Sequence, residues 1–111
     1  MQENNKPVLI YSTFPTADEA ERVGGALVDR RLAACVNIIP GMTSIYHWQG
    51  ARQRDSETVM IIKTRAGLAD TVVAETKAMH SYANPALVVL AAAGGSADYL
   101  AWIAAETTPT P

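Results

Sequence analysis

Residues 33–50 form a β-prone stretch that is too long for a domain of this size. An extended strand rises about 3.3 Å per residue, so the stretch would reach roughly 50 Å, whereas a usual strand has about 5–6 residues. A chain of 111 residues folds into a domain about 25–30 Å across, taking a radius of gyration near 13 Å. The aromatic-rich far half must therefore bend back or pair outside its own subunit. We infer an oligomer from this geometry.

The segments before this stretch predict a strand and a helix. Apolar residues recur at every second position in residues 7–14, as they do in a half-buried strand. Thr16 and Glu19 have the spacing of a capping box, in which a hydroxyl and a carboxylate both satisfy free amides at a helix start. Apolar residues at helical spacing extend this helix to about residue 31. A glycine inside a helix costs about 1 kcal/mol relative to alanine, and we expect close packing against the sheet to compensate at 24–25.

The long strand is interrupted by Pro40 and Gly41, and the elements beyond it are short. Because proline has no amide to donate, we expect an edge, a bulge or a bend at this point. The later predicted elements are a turn at 50–54, a strand at 57–65, a helix after Gly67 with Leu68, Val72, Thr76 and Met79 as its buried stripe, a strand at 86–92 and a final helix capped by Ser96.

The resulting order is βαββαβ followed by a C-terminal helix. This is the split βαβ, ferredoxin-like pattern, an α+β fold with helices on one face of an antiparallel sheet. Such a sheet normally leaves its other face to water, yet residues 87–90 are an unbroken apolar run and the first strand is apolar on both sides. We therefore expect another subunit to cover the second face. The domain is assigned to residues 7–107, with a flexible N-terminus at 1–6 and a flexible tail at 108–111.

Composition restricts the partners and the compartment. A formal net charge of -2 argues against a nucleic-acid surface, because phosphate binding needs clustered lysine and arginine. No apolar run approaches the roughly 18–20 residues that a membrane span requires, and the polar start lacks the apolar core of a signal peptide. Cys35 is the only cysteine, so a reducing compartment is the default. These features predict a cytoplasmic protein without a nucleic-acid or membrane partner.

Several short motifs resemble those of one known family, the CutA proteins, also called divalent-cation tolerance proteins. The first part of the resemblance is Ala-Ala-Cys-Val-Asn-Ile at 33–38, followed by Pro40-Gly41, Ser44-Ile45-Tyr46, Trp48 and Gly50. The matches continue with Asp55-Ser56-Glu57, Lys63-Thr64-Arg65, the loop residues His80, Tyr82 and Pro85, and Tyr99-Leu100 with Trp102-Ile103. The resemblance covers roughly residues 8–107. It implies a ferredoxin-like homotrimer whose long second and third strands interlock across subunits, and a cytoplasmic role in tolerance to copper and other divalent cations.

One loop departs from the family pattern. The family reads His-Pro-Tyr-Glu there, with a second Glu after the later proline, whereas this chain has Ala83 and Ala86 at the two acidic positions. The two alanines remove two hard oxygen ligands and two negative charges. Weakened or altered metal binding is one hypothesis that follows.

Cys35 and His80 are the candidate metal ligands. A thiolate and an imidazole suit soft or borderline cations such as Cu(I), Cu(II) and Zn(II). One cysteine and two histidines cannot make a closed four-ligand site within one subunit, although a trimer would bring ligands from two chains together. The alternatives are that Cys35 is a small buried hydrophobe and that His80 interacts with the last carbonyls of a helix.

The aromatic residues suggest a second kind of site. We expect a possible inter-subunit cleft lined by Tyr46, Trp48, Lys63, Tyr82 and Trp102, with interface packing as the alternative reading of the rings. Lys63 and its neighbour Arg65 would bind an anionic ligand there, or else form salt bridges to Asp55 or Glu57.

The leading functional hypothesis is a CutA-like trimer that binds copper or another divalent cation and supports tolerance or response to metal ions. The alternatives are a signalling trimer like the PII proteins, which binds a small anionic ligand, and a scaffold that has lost metal binding. The short connection around Gly50 counts against the PII reading. No enzyme is predicted, because the sequence has neither a Gly-rich phosphate loop nor a GxSxG motif.

Overall fold

The computed structural model describes residues 2–108 and contains the predicted succession of strands and helices. The elements are β1 (Pro7–Phe14), α1 (Ala17–Asp29), β2 (Cys35–Trp48), β3 (Ala51–Arg65), α2 (Ala69–Met79), β4 (Leu87–Ala91) and α3 (Ala97–Glu106). A 3-10 turn at Glu3–Asn5 lies within the segment predicted to be flexible. The predicted tail at 108–111 lies outside the described residues from position 109 onward.

The strands form one antiparallel sheet in the order β2-β3-β1-β4, which confirms the ferredoxin-like α+β prediction. Alternation in β1 places Val8, Ile10 and Phe14 in the hydrophobic core. The apolar stripes of α1 and α2 pack on this face through Val23 and Val72, which are fully buried. Burying a side chain of this size stabilises a fold by about 1.5–3 kcal/mol. The core therefore lies between the sheet and the two helices, as the sequence predicts.

The start of α1 confirms one half of the predicted capping box and corrects the other. The Glu19 amide donates to the Thr16 hydroxyl over 3.1 Å. The Glu19 carboxylate does not close the box, because it accepts hydrogen bonds from the Ser81 amide, at 3.1 Å, and from the Ser81 hydroxyl, at 3.0 Å. Two donors from the loop after α2 offer more than the single amide of a capping box. Glu19 thus ties the start of α1 to the end of α2.

The hairpin of β2 and β3 is longer than any other pairing in the chain. The register of the pair shifts between Ile39 and Met42, which confirms the predicted irregularity at Pro40 and Gly41. The predicted turn at 50–54 is wrong. The turn consists of Gln49 and Gly50 alone, both with positive φ (52° and 81°), and such two-residue turns match the twist of the flanking strands. Arg52 and Arg54, which follow this turn, pair with β2 and carry exposed side chains.

The far half of this hairpin is a two-stranded arm, which we define as residues 42–57. β1 pairs with β3 only from Thr58 to Arg65, so β2 is the one strand paired with β3 in the arm. The far half of β2 therefore has a partner strand in its own chain without bending back, and pairing outside its own subunit stays a prediction. The molecule is 48 Å long and only 26 Å and 22 Å in the other directions. Over residues 2–108, the arm has no partner strand at either outer edge.

Large apolar side chains are exposed on the arm and on β4. In the arm, Ile45, Tyr46 and Trp48 are 40–55% exposed. In β4 the run Val88, Val89 and Leu90 is 43–52% exposed. Exposed apolar strands at sheet edges are sites of pairing with other chains. In the isolated chain, the surfaces that the sequence predicts another subunit to cover are therefore exposed.

The N-terminus of α3 has no side-chain cap, whereas its C-terminal end is hydrogen-bonded to β3. Ser96 occupies the N-cap position, but its side chain makes no capping hydrogen bond, which corrects the expected cap. The Leu100 amide bonds to the Ser96 carbonyl at 3.0 Å, so the backbone alone starts the helix. Ile103 is buried, and the carbonyl of Thr107 accepts from Arg65 Nε at 3.3 Å. None of the described helices is long and apolar enough to cross a membrane.

Close approach of α1 to the sheet requires glycine at one of the two adjacent positions. A Cβ atom on Gly24 would lie 2.8 Å from both Met60 Sδ and Val36 Cγ2, whereas a Cβ on Gly25 would meet nothing within 4 Å. The predicted packing compensation is confirmed for Gly24. At Gly25 no contact offsets the helical cost of glycine.

We expect Gly24→Ala and Gly25→Ala to change stability in opposite directions. Overpacking costs about 1–3 kcal/mol, so Gly24→Ala should lower the free energy of unfolding by about 1–2 kcal/mol. Gly25→Ala should raise it by about 0.5–1 kcal/mol, because alanine favours the helix. Urea unfolding of both variants at one protein concentration measures the difference. Equal effects of the two substitutions would contradict the packing argument.

Candidate functional site

His80 is a buried group with both ring nitrogens engaged. Its Nε2 lies 2.7 Å from the Thr13 carbonyl oxygen, and its Nδ1 accepts from the Tyr82 amide at 3.0 Å. Since a carbonyl only accepts, these partners assign the proton to Nε2 and leave Nδ1 as an acceptor. The ring also stacks on Phe14 with centroids 4.3 Å apart. His80 follows the end of α2, but its ring bonds to β1 instead of to the last carbonyls of α2.

Cys35 lies far from His80 within one chain. Cys35 is half-buried at the start of β2, opposite Lys63, and Lys63 is opposite Leu9 of β1. His80 contacts Thr13, four residues further along β1, which corresponds to about 13 Å. The structure therefore does not bring the two predicted ligands together in one chain. Across residues 2–108, no group of three or more His, Cys, Asp or Glu side chains is placed to hold a metal ion.

A cavity of about 520 Å³ lies where the arm leaves the sheet. The arm supplies one wall and the loop at 81–86 supplies another. Three of the five predicted cleft residues, Tyr46, Trp48 and Tyr82, line this cavity. The other lining residues are Thr13, Glu57, Ser81, Ala83, Asn84 and Ala86.

A carboxylate lies at the base of the cavity. Glu57 is only 9% exposed, and its Oε2 accepts a hydrogen bond of 3.0 Å from the Tyr82 hydroxyl. The pKa of the Tyr82 hydroxyl is raised well above its ordinary value, mainly by burial and secondly by the hydrogen bond to Glu57. On the arm, the Tyr46 hydroxyl donates to Asp55, and this hydrogen bond raises the pKa of Tyr46. Both tyrosines are therefore neutral donors to carboxylates.

Lys63 and Trp102, the other two predicted cleft residues, form a separate cluster with Tyr99. Lys63 Nζ donates to the Tyr99 hydroxyl at 2.9 Å, and the Tyr99 and Trp102 rings stack with centroids 5.5 Å apart. The hydrogen bond to Tyr99 raises the pKa of Lys63. In one chain the predicted cleft is thus two surfaces, the cavity and this cluster.

The expected salt bridges of Lys63 and Arg65 to Asp55 or Glu57 are absent from the described ion pairs. Lys63 donates to Tyr99, and Arg65 donates to the Thr107 carbonyl. Lys63 lies six residues from Glu57 along one strand, which is about 20 Å and far beyond the reach of an ion pair.

Sequence reasoning missed the role of Glu57. Glu57 shares its side of β3 with Val59 and Ile61, because side chains two residues apart point to the same face. This two-residue alternation indicated that the Glu57 carboxylate is buried, and a buried carboxylate needs hydrogen-bond partners. The missed partner was Tyr82, which the sequence analysis assigned only to an aromatic cleft.

Comparison with known proteins places this chain among close relatives over nearly its whole length. A family model described as CutA1 divalent ion tolerance protein matches residues 8–106. The chain is 40% identical over 99 residues to the divalent-cation tolerance protein CutA of Thermus thermophilus, covering 89% of this chain and 96% of that protein. It is also 40% identical over 100 residues to the chloroplastic protein CutA 1 of rice, covering 90% of this chain. The chain spans 56% of the length of the rice protein.

Solved structures show the same architecture. CutA from Xylella fastidiosa superposes with a TM-score of 0.91 at 36% identity, over 93% of this chain and 99% of that one. CutA1 from Oryza sativa gives a TM-score of 0.91 at 37% identity, over 98% of this chain and 100% of that one. The hairpin arm is thus part of a fold shared with these proteins.

We expect Tyr82 to make the protein less stable at alkaline pH. A tyrosine whose pKa is raised on folding holds its proton when the unfolded chain has already lost it, so stability falls as pH rises above about 10. The fall should be less steep in Tyr82→Phe. Urea unfolding between about pH 8 and about pH 11 measures the slope, and absorbance near the tyrosinate band reports the ionisation itself.

Glu57→Gln supplies the control for this prediction. The amide keeps an oxygen that accepts from Tyr82 but removes the negative charge, so Tyr82 should ionise at lower pH than in the unsubstituted protein. If the free energy of unfolding decreases equally at alkaline pH in the unsubstituted protein and in Tyr82→Phe, Tyr82 is not the cause of the decrease.

Proposed function

The chain belongs to the CutA1 divalent ion tolerance family, and from this premise we propose that it acts in divalent-cation tolerance as a homotrimer that binds copper or a similar cation. The observation that carries the proposal is the pair of uncovered apolar surfaces, on the arm and on β4. A function that needs only one chain would leave these surfaces in water.

The arm favours a closed assembly. Its outer edges carry unpaired backbone groups, and such edges pair with further strands when they are left open. In a ring of three subunits each arm contacts a neighbouring subunit, and no subunit is left with an uncovered arm surface. The homotrimer implied by the family resemblance satisfies this requirement.

The chemistry of Cys35 favours a soft or borderline cation. A thiolate suits Cu(I) and Zn(II), and hard cations such as Mg²⁺ prefer oxygen. Within residues 2–108 Cys35 belongs to no group of three or more His, Cys, Asp or Glu side chains placed to hold a metal ion, so the proposed site takes further ligands from a neighbouring subunit. His80 reaches a metal only after the Tyr82 amide releases its Nδ1. We therefore propose Cys35 as the main ligand and give His80 a role in holding the loop.

Three further features belong to the proposal. A cytoplasmic location agrees with the free thiol of Cys35, and fractionation of cells tests it. A binding role without catalysis agrees with the hydrogen-bonded, buried state of His80. The two-residue turn between β2 and β3 counts against the PII-like alternative, which would have a long loop there.

We expect Trp48→Ala to weaken assembly more than it weakens the fold of one chain. Trp48 is 52% exposed near the tip of the arm, so its removal costs little core packing. Sedimentation over a dilution series should show dissociation at a protein concentration at least about tenfold higher, which for a trimer is a hundredfold change in the dissociation constant and about 2.7 kcal/mol per trimer. Val28→Ala is the matched control, since Val28 is an exposed apolar residue of α1, away from the arm. A monomeric unsubstituted protein would refute the trimer proposal, and equal dissociation of both variants would refute the placement of Trp48 between subunits.

We expect Cys35→Ser to weaken binding of Cu(I) by at least about tenfold, because a hydroxyl is a poor ligand for soft cations. Competition titrations with Cu(I), Cu(II) and Zn(II) measure the affinity. His80→Ala should leave the affinity nearly unchanged and lower the thermal stability, because its ring is packed and hydrogen-bonded inside the chain. His47→Ala, at the other histidine of the chain, is the control for His80. Cu(I) affinity that is unchanged in Cys35→Ser would refute Cys35 as the ligand, and the absence of any saturable metal binding would favour the scaffold that has lost it.

A further inference from the structure

We propose that the cavity between the arm and the loop at 81–86 binds a small organic cation, a primary ammonium ion with an apolar body. This site is separate from the Cys35 metal site proposed above and does not depend on it. Its base is Glu57, and its aromatic walls are Tyr46, Trp48 and Tyr82.

The charge of the cavity selects a cation. Glu57 is the one charged side chain among the nine described lining residues. It is nine-tenths buried, and in a medium of low dielectric a carboxylate acts on a nearby charge more strongly than it would in water. Among residues 2–108, the Tyr82 hydroxyl is the one hydrogen-bond donor to this carboxylate, and it bonds to Oε2. The carboxylate therefore keeps acceptor capacity for an ammonium group entering the cavity.

The walls select an organic body. Aromatic rings attract cations through their electron-rich faces and bury apolar groups through their area, and Trp is the strongest of these rings. Tyr46 is held by its hydrogen bond to Asp55, and Tyr82 by its hydrogen bond to Glu57, so two of the three rings are positioned by the chain itself. The cavity volume of about 520 Å³ lies in the range of small-molecule sites.

The loop keeps the cavity open. Ala83 and Ala86 both line it, and their methyl groups occupy little of its volume. The loop is anchored at its start, because Ser81 donates to Glu19 and the Tyr82 amide donates to His80. This anchor holds the loop beside the cavity at the residue before Ala83.

A bare metal ion fits this cavity less well than an ammonium ion. Glu57 is the only carboxylate that lines the cavity within the described residues. The Tyr82 hydroxyl points its proton at that carboxylate, and the other side-chain oxygens of the described lining belong to neutral hydroxyl and amide groups, which are weak ligands for a bare metal ion. Divalent cations in proteins are held by several oxygen, nitrogen or sulfur ligands.

Three probes of matched size and different charge test the proposal on the assembled protein near pH 7. Calorimetric titration with benzylammonium should show saturable binding at least about tenfold tighter than that of benzyl alcohol, and benzoate should not bind. Equal binding of the alcohol would overturn the proposal, and so would preferred binding of benzoate. Displacement of benzylammonium by Zn(II) in the unsubstituted protein but not in Glu57→Gln would also overturn it, because the cavity would then be a metal site.

Variants separate the charge from the shape of the cavity. Glu57→Gln should weaken benzylammonium about tenfold and leave benzyl alcohol unchanged, while Glu21→Gln makes the same charge change on an exposed part of α1 and should alter neither. Ala83→Leu adds bulk without changing charge and should exclude both probes, which keeps the proposal testable where Glu57→Gln fails to fold. Sedimentation of each variant shows that assembly is intact. Benzylammonium affinity that is indifferent to both Glu57→Gln and Ala83→Leu would place its binding elsewhere.

Discussion

The structure depends on one strand that changes partners along its length. From Thr58 to Arg65, β3 lies between β1 and β2 and contributes Met60 and Ile62 to the core. From its start to Glu57 it pairs with β2 alone and leaves the body of the domain. The same continuous backbone is therefore central strand and projecting arm. Rotation of the arm relative to the core is limited because no loop separates the two halves of β3.

Buried polar groups are concentrated at the point of this change. Glu57 lies at the last position before β1 joins β3, and His80 bonds to Thr13 near the end of β1. Each of these groups would cost several kcal/mol if it were buried without a hydrogen-bond partner. Tyr82 serves both, since its hydroxyl donates to Glu57 and its amide donates to His80. One loop residue thus satisfies two buried groups and fixes the loop against the base of the arm.

The sequence predicted what local periodicity and close packing determine, and it failed where distant partners decide. Alternation and helical spacing located the strands and helices, and Gly24 correctly signalled close packing. The carboxylate of Glu19 was assigned to its own helix because its true partner, Ser81, is 62 positions away. Cys35 and His80 looked like a pair by residue type alone, yet about four residues of β1 separate them. The cavity was foreseen only as a list of rings, since its shape depends on how the arm leaves the sheet.

The arm links the two proposals through Trp48. This residue lines the cavity, and it also belongs to the exposed apolar surface that we assign to assembly. A ligand that contacts Trp48 therefore binds the assembled and the separated chain with different affinities whenever assembly moves or covers that ring. By thermodynamic linkage, the ligand then shifts the assembly equilibrium by the same factor by which assembly shifts ligand affinity. Cys35, the proposed metal ligand, lies at the opposite end of β2 and has no such direct contact with the cavity. Coupling between a cavity ligand and a metal must consequently pass through β2 or through the contacts between subunits.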